Sequence, residues 1–373
     1  MKKLIALSVL TLASLSAQAE VRINGFANLI GGITSSDDVV YGYDDSISFT
    51  DESLFAIQVS GDINSKMTAT AQMVARGSDD YSPEFEWAYM TYQATDKLAI
   101  SAGRIRLPLF RYSASSDVGY SYHWVSAPRS VYDVGFSNVD GVKFDYSTYS
   151  GDWEYNLQAV AGTYNSDFLG GDLSGKNLLL FSAEATYEWF KMRGVYGTNK
   201  STYSRTDIDG TLGTLTSLGL PELADDLALD NNTGTFFGFG TEVDTFDYFA
   251  SAEITITENK DSFSPKATAF YVTAGMRSGK FTPSITYEKF KEDDQYKFLD
   301  RVAAAPEALR PTATAITVGL QQAVMNEYSV ITAGVRYDVD TNVALKADLS
   351  KYSDDLNDSL DATLLRFAIN YVF

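Results

Sequence analysis

Hydrolytic and metal chemistry is most often built from histidine, cysteine and paired carboxylates, and this chain is poor in the first two. It has one histidine, His123, and no cysteine in 373 residues. Nucleophilic catalysis needs a base beside its nucleophile and a third group to orient that base. His123 is the only imidazole available, and its place between Tyr122 and Trp124 suits stacking better than proton transfer. A zinc centre would lack both thiolates and further imidazoles. Carboxylates are abundant, 49 Asp and Glu against 29 Lys and Arg, but they crowd into polar segments such as 35–50, which holds Asp37, Asp38, Asp44 and Asp45 without a base. None of these segments has the D-x-[DN]-x-[DN]-G spacing of a calcium loop. The sequence therefore predicts no catalytic residue, no metal and no cofactor, and its net charge of −20 excludes nucleic acid as a partner.

The remaining charges follow a pattern. Over 153–161, Trp153, Tyr155, Leu157, Ala159 and Ala161 alternate with Glu154, Asn156 and Gln158, and 142–148, 248–256 and 365–373 read the same way. Such period-2 alternation marks strands with one apolar and one polar face. A secreted soluble β-protein also alternates, as would a barrel enzyme, so the surroundings must decide. Residues 1–19 carry two lysines, an apolar stretch and Ala17-Gln18-Ala19, the form of a cleaved signal peptide. Cleavage before Glu20 removes Lys2 and Lys3 and takes the charge from −20 to −22. No later apolar run is long enough for a spanning helix. An exported chain of evenly spaced alternating strands, with short turns between some and long polar loops between others, fits a transmembrane barrel, in which closure leaves no backbone group unpaired in lipid.

The expected fold is all-β: an antiparallel up-and-down barrel in one domain, 20–373. Sixteen strands are placed near 21–30, 52–61, 67–76, 84–94, 98–107, 141–149, 153–163, 178–188, 190–198, 235–243, 246–257, 268–277, 281–290, 328–338, 343–351 and 362–373. The even count puts both ends, and the short turns, on the periplasmic side. Segment 291–327 is read as a long outer loop with a short helix; an additional strand over 315–324 would break the parity. Alternation assigns Arg193, Arg277, Arg336, Lys346 and Arg366 to the lumen, together with Glu154, Glu184, Glu188, Glu253 and Glu288. The aromatics Phe26, Tyr92, Tyr164, Phe236, Phe249 and Tyr271 share that parity. Trp153, Trp189 and Phe190 beside short turns are expected at the periplasmic rim.

The segment 108–140 is unusually aromatic and near neutral for a solvent loop. It follows Glu86-Trp87-Ala88-Tyr89, a turn, and the run from Leu98 to Arg104. This arrangement, with the leader, the strand count and a last stretch alternating up to Phe373, resembles the general porins of Gram-negative outer membranes. The resemblance implies a water-filled homotrimer in lipid and lipopolysaccharide, with the third loop, 108–140, folded inward to form a constriction. Carried onto this chain, Arg76, Arg104 and Arg106 on the wall would face Asp117 and Asp133 on the loop. Arg104 and Arg106 share parity with Leu98, Ile100 and Ala102, so for both to point inward the strand must bulge or its outward face must be the thin set Ala99, Ser101, Gly103 and Ile105; otherwise one arginine snorkels to the rim. The resemblance also makes Phe367, Ile369, Tyr371 and Phe373 the signal read by barrel-assembly machinery.

The implied function is passive diffusion of small hydrophilic solutes and ions, filtered by size and by a transverse field. A channel of the same architecture preferring phosphate, another anion or an oligosaccharide is the nearest alternative. The acidic loops favour cations and the arginines favour anions.

Overall fold

A computed structural model describes residues 21–373; the signal peptide expected at 1–19 lies outside the described residues. Sixteen antiparallel strands close into one barrel, each bonded to its sequence neighbours and the first to the last. They are β1 (Val21–Thr34), β2 (Leu54–Asn64), β3 (Met67–Arg76), β4 (Pro83–Thr95), β5 (Leu98–Arg106), β6 (Asn138–Ser150), β7 (Trp153–Phe168), β8 (Gly171–Tyr187), β9 (Phe190–Ser204), β10 (Asn232–Asp244), β11 (Tyr248–Asn259), β12 (Ala267–Met276), β13 (Phe281–Glu292), β14 (Glu327–Asp340), β15 (Val343–Asp354) and β16 (Ala362–Val372). Alternation builds the wall: on β13, Phe281, Ile285 and Tyr287 are exposed outward, while Thr282, Thr286 and Glu288 are buried inside. Barrel closure runs through β1 and β16, where Asn28 pairs with Asn370 and Leu29 with Ile369. No helix among the described residues is long and apolar enough to cross a membrane, which says nothing against crossing by strands.

The structure differs from the alternation at four places. Residues 164–177, expected as a loop, extend β7 and β8 to a two-residue turn at Leu169 and Gly170, whose φ values of 48° and 75° are those of a type I′ hairpin. Glu188, expected in the lumen, lies exposed in the turn between β8 and β9; the connection 293–326, expected as a loop with a short helix rather than a strand, does hold a helix, α5 (Arg310–Gln322), over most of 315–324. In β4, one extra residue is inserted opposite Gln72 and Met73, so that Trp87 pairs with Gln72, Phe85 pairs with Met73 and Glu86 is the bulge. The insertion reverses parity along the rest of the strand, and Tyr92, expected in the lumen, is 42% exposed on the outer wall. Arg277 lies just beyond β12 in a periplasmic turn, paired with Asp244 at 2.7 Å, rather than on the wall.

Outside the barrel, α2 (Thr206–Ser217), α3 (Pro221–Leu227), α4 (Leu299–Ala304) and α5 form a helical cap from the outer connections 205–231 and 293–326. The cap has its own core of Leu215, Leu227, Ala313 and Leu320 with Phe263. A second, larger core is inside the barrel, where residues 107–137 pack against the wall.

Candidate interior site

The loop 107–137 leaves β5 and turns into the barrel because its own side chains need burial: Leu107, Leu109, Trp124, Val125 and Val131 are each at most 3% exposed. Its first residues lie across β9, where Arg193 donates to the carbonyls of Phe110, at 3.1 Å, and Pro108. It then returns to the opposite wall, where the Asn28 amide donates to the Asp117 carbonyl at 2.7 Å. Tyr120 reaches the periplasmic turn after β14, donating to the carbonyl of Thr341 at 2.8 Å. Lys346 donates to the carbonyls of Gly119 and Trp124, and Arg336 to those of Tyr120 and Tyr122. The loop closes its path with α1 (Arg129–Tyr132), whose Ser130 donates through backbone and side chain to Glu288, at 3.2 and 3.0 Å. Glu253 accepts from the Arg111 amide and from the hydroxyls of Tyr132 and Tyr271, at 2.9, 2.6 and 2.9 Å. Six of the ten charges assigned inward by parity, Arg193, Arg336, Lys346, Arg366, Glu253 and Glu288, thus serve as anchors for a segment whose backbone would otherwise be unpaired in a narrow lumen.

Two of the five residues expected to face one another across the loop do so directly with a third. Arg76 meets Asp117 at 3.2 Å and Arg106 meets it at 3.5 Å. Both arginines converge on Glu86, with Arg76 at 2.8 Å and Arg106 closer still, and the Asn138 amide donates to the same carboxylate at 2.8 Å. Glu86 is only 4% exposed and is the centre of this cluster. By strict alternation Glu86 shares the lumen parity given to Tyr92, so its inward direction is legible; its place as shared partner of two arginines is not, because no local rule pairs it with Arg76 and Arg106.

Arg104 and Asp133 stand apart. Arg104 shares parity with Ile100 and Ala102, pairs with Asp140 at 3.0 Å, and both side chains are about half exposed, 47% and 50%. No bulge intervenes between Ile100 and Arg104, so this arginine sits at the rim. Arg106 turns inward because β5 ends there. Asp133 pairs with Arg129, one turn away on the loop, at 2.8 Å. Above the cluster an open cavity of about 880 Å³ is bordered by Arg76, Glu84, Asp133, Asp140, Asp167 and Asp172.

His123 packs between Trp124 and Phe249, with ring centroids 4.0 and 4.6 Å away, and its Nε2 lies 3.2 Å from the Thr273 hydroxyl. Burial, reinforced by Lys346, Arg111, Arg277 and Arg336, pushes its pKa well below the ordinary imidazole value. A neutral ring wedged between aromatics is a packing element. Glu52, at the end of the first outer connection, is buried, which by itself would raise its pKa; the Arg366 and Arg129 guanidiniums outweigh burial and hold it low. Arg366 contacts Glu52 at 3.0 Å and Ser126 at 2.7 Å, tying the loop to β16.

At the chain end, Phe367, Ile369, Tyr371 and Phe373 all face outward, each more than a third exposed. The Tyr371 and Phe373 rings stack, and the Phe373 backbone exchanges two 3.0 Å bonds with Gly25. Gly25 leaves the space that the Phe373 ring occupies; a Cβ there would stand 2.2 Å from it.

These features can be set beside solved structures. The barrel superposes on the outer membrane channel DcaP of Acinetobacter baumannii with a TM-score of 0.62 at 12% identity, covering 95% of this chain and 97% of that one. The anion-selective porin of Comamonas acidovorans gives 0.57 at 12%, covering 95% and 100%. OmpT of Vibrio cholerae, in its trimer form, gives 0.56 at 12%, covering 95% and 99%. The fold is that of the outer-membrane porins. No protein-family model matches the sequence, and no curated protein matches it either. At this identity the likeness lies in strand number, closure and overall path. Within the porin fold, the charged cluster around Glu86, the anchors of the loop and the helical cap are read from this chain's own residues.

Proposed function

We propose that this chain is an outer-membrane porin, a channel for passive diffusion of small hydrophilic solutes and ions, and not an enzyme. The observation that supports it best is a closed sixteen-stranded barrel, apolar outside and charged within, whose interior loop brings Asp117 against Arg76 and Arg106. A barrel of sixteen strands is wide enough to enclose an aqueous passage. Charges of both signs facing each other inside it favour polar solutes over apolar ones, because an apolar solute displaces oriented water and gains nothing in return. The export leader read from the sequence agrees with an outer-membrane location in lipid and lipopolysaccharide. The chain-end aromatics serve as the signal for barrel-assembly machinery, and the working form is a homotrimer, as the likeness to a trimeric barrel suggests.

An oligosaccharide ladder is not favoured. The inward aromatics Phe26, Tyr164, Phe236, Phe249 and Tyr271 are at most 8% exposed and pack against other side chains rather than along a path. The test is planar-bilayer reconstitution with a salt gradient. Replacing Arg76 and Arg106 by Ser should move the reversal potential toward cation preference. Asp37→Asn with Asp38→Asn should barely move it, because exposed charges beyond the ~8 Å Debye length are screened. Equal shifts from the two pairs would overturn the placement of the selective section.

A further inference from the structure

The interior loop is bonded to only part of the wall. Its partners run from Arg193 on β9 through β11–β16 to Asn28 on β1 and Arg76 on β3. On the periplasmic side of the loop's first residues, 107–110, the inward faces of β6–β8 and the start of β9 are left to themselves. Among the described residues, Lys143, Asp145, Gln158, Glu184 and Lys191 make no bond to the loop. Gln158 donates to Asp145 at 2.5 Å and accepts from Ser182 at 3.0 Å, Lys143 pairs with Asp145 at 3.2 Å, and Lys191 pairs with Glu184 at 3.5 Å. Lipid covers the outer face of these strands, so exposure of an inward side chain is exposure to interior water. The four charged groups are 22–32% exposed, whereas Thr332 and Ser350, which share a 2.8 Å bond on the loop-bound side, are 5% and 1% exposed. A polar trail joins this band to the arginines above it. Tyr89 and Thr70 are cross-strand partners below Glu86, and Thr91 bonds at 2.8 Å to Ser101, which stands opposite Lys143. Tyr89, Thr70 and Thr91 are all half-buried.

We propose that the passage is off-centre: it descends past Arg76 and Arg106 along β3–β5 and leaves over a second selective section made by Lys143, Asp145, Glu184 and Lys191. The proposal rests on the channel reading above and names further residues through which that channel sorts ions. Two bases and two acids cancel, so in the native protein this section orients water and favours polar solutes without preferring either sign. Removing one sign leaves the other to act. A fixed charge is felt by a passing ion only within the ~8 Å screening length, so such an effect requires ions to pass along this sector. Asp338, an acid 39% exposed on the loop-bound side, lies off the path.

The test is the reversal potential in planar bilayers under a salt gradient, read for barrels whose folding is verified by heat-modifiable gel mobility. Asp145→Asn with Glu184→Gln should shift it toward anion preference, and Lys143→Met with Lys191→Met toward cation preference, while Asp338→Asn should barely move it. The chain has no cysteine, so Ser147→Cys, a near-isosteric change beside Asn156 in the same band, gives a second reading if a charge variant fails to fold. There a positively charged methanethiosulfonate should shift the potential toward anions and a negatively charged one toward cations, with labelling at least tenfold faster than at Ser350→Cys. Steady conductance without these shifts, or a shift from Asp338→Asn as large as that from the acid pair, would overturn the off-centre path and leave the channel reading standing. A folded protein that does not conduct would overturn both.

Discussion

Glu86 is a single carboxylate holding two guanidiniums and an amide in a nearly dry environment, and its removal is the most demanding test of how the interior is held together. Glu86→Gln keeps the volume and one carbonyl acceptor but leaves Arg76 and Arg106, 24% and 15% exposed at the side chain, with Asp117 as their shared acid and only Glu84 beside Arg76. Breaking one side of a buried pair costs about 3–5 kcal/mol; retention of an amide acceptor and of Asp117 brings the expectation to the lower end, about 3 kcal/mol. The internal control is Asp140→Asn, which breaks the half-exposed pair with Arg104 and should cost no more than about 1 kcal/mol. Urea unfolding in detergent, followed by tryptophan fluorescence, reads both, and Trp87 beside Glu86 reports the neighbourhood. A double change, Glu86→Gln with Arg106→Met, should cost less than the sum of its parts by about 1 kcal/mol or more, because the second removes a charge that the first has orphaned. Equal destabilisation by Glu86→Gln and Asp140→Asn, or strict additivity in the cycle, would refute the claim that Glu86 is the centre of the cluster.

The other predictions concern pH, the chain end and the rim. His123 has a depressed folded pKa, so its contribution to stability is complete above the unfolded value near 6.5 and is lost as pH falls below it, by up to ~1.4 kcal/mol per unit; the urea midpoint should drop between pH 7.5 and 5.5, and His123→Phe should flatten that drop. Deleting Phe373 should cut the yield of folded barrel in the outer membrane far more than it lowers the stability of barrels that do fold, and Gly25→Val, which invades the Phe373 ring site, should act in the same direction; assembled and total protein are compared on unheated gels. Trp153 and Trp189, beside the periplasmic turns after β6 and β8, should stay bright with quenchers at the bilayer centre and dim with quenchers near the headgroups.

How far the sequence reaches can be seen at particular residues. All sixteen strands are placed because lipid on one side and a polar interior on the other impose a period of 2 on most of them, although the signal breaks at the bulge of β4 and along β1, where consecutive residues are buried. The turn at Leu169 and Gly170 is not legible, since it lacks the Asn-Gly or Asp-Gly pair that marks a type I′ hairpin, and two strands are correspondingly longer than alternation suggests. One inserted residue at Glu86 moves Tyr92 to lipid while Glu86 itself stays inward, a consequence of register that composition does not encode. Arg104 and Arg106 are two residues apart and identical in pattern, yet one pairs with Asp140 at the rim, bordering the outer cavity, and the other joins Glu86 inside. The helices of the cap were expected only as a short helix in 291–327; α2 and α3 arise from a segment whose acids read as plain solvent loop. The burial of the interior loop was signalled by its aromatic content, but the identity of its anchors depends on which inward charges it meets along a path that no local rule predicts.

If the barrel encloses a solute passage governed by the interior loop, as proposed, removing that loop must widen the passage without unfolding the barrel. The most direct measurement replaces residues 111–133 by a short Gly-Ser linker and follows swelling of liposomes holding the folded barrel in isotonic solutions of small sugars. Rapid swelling with pentose-sized solutes, falling off as solute size rises, is the predicted result. A folded barrel, verified by its gel mobility, that passes none of them would contradict it.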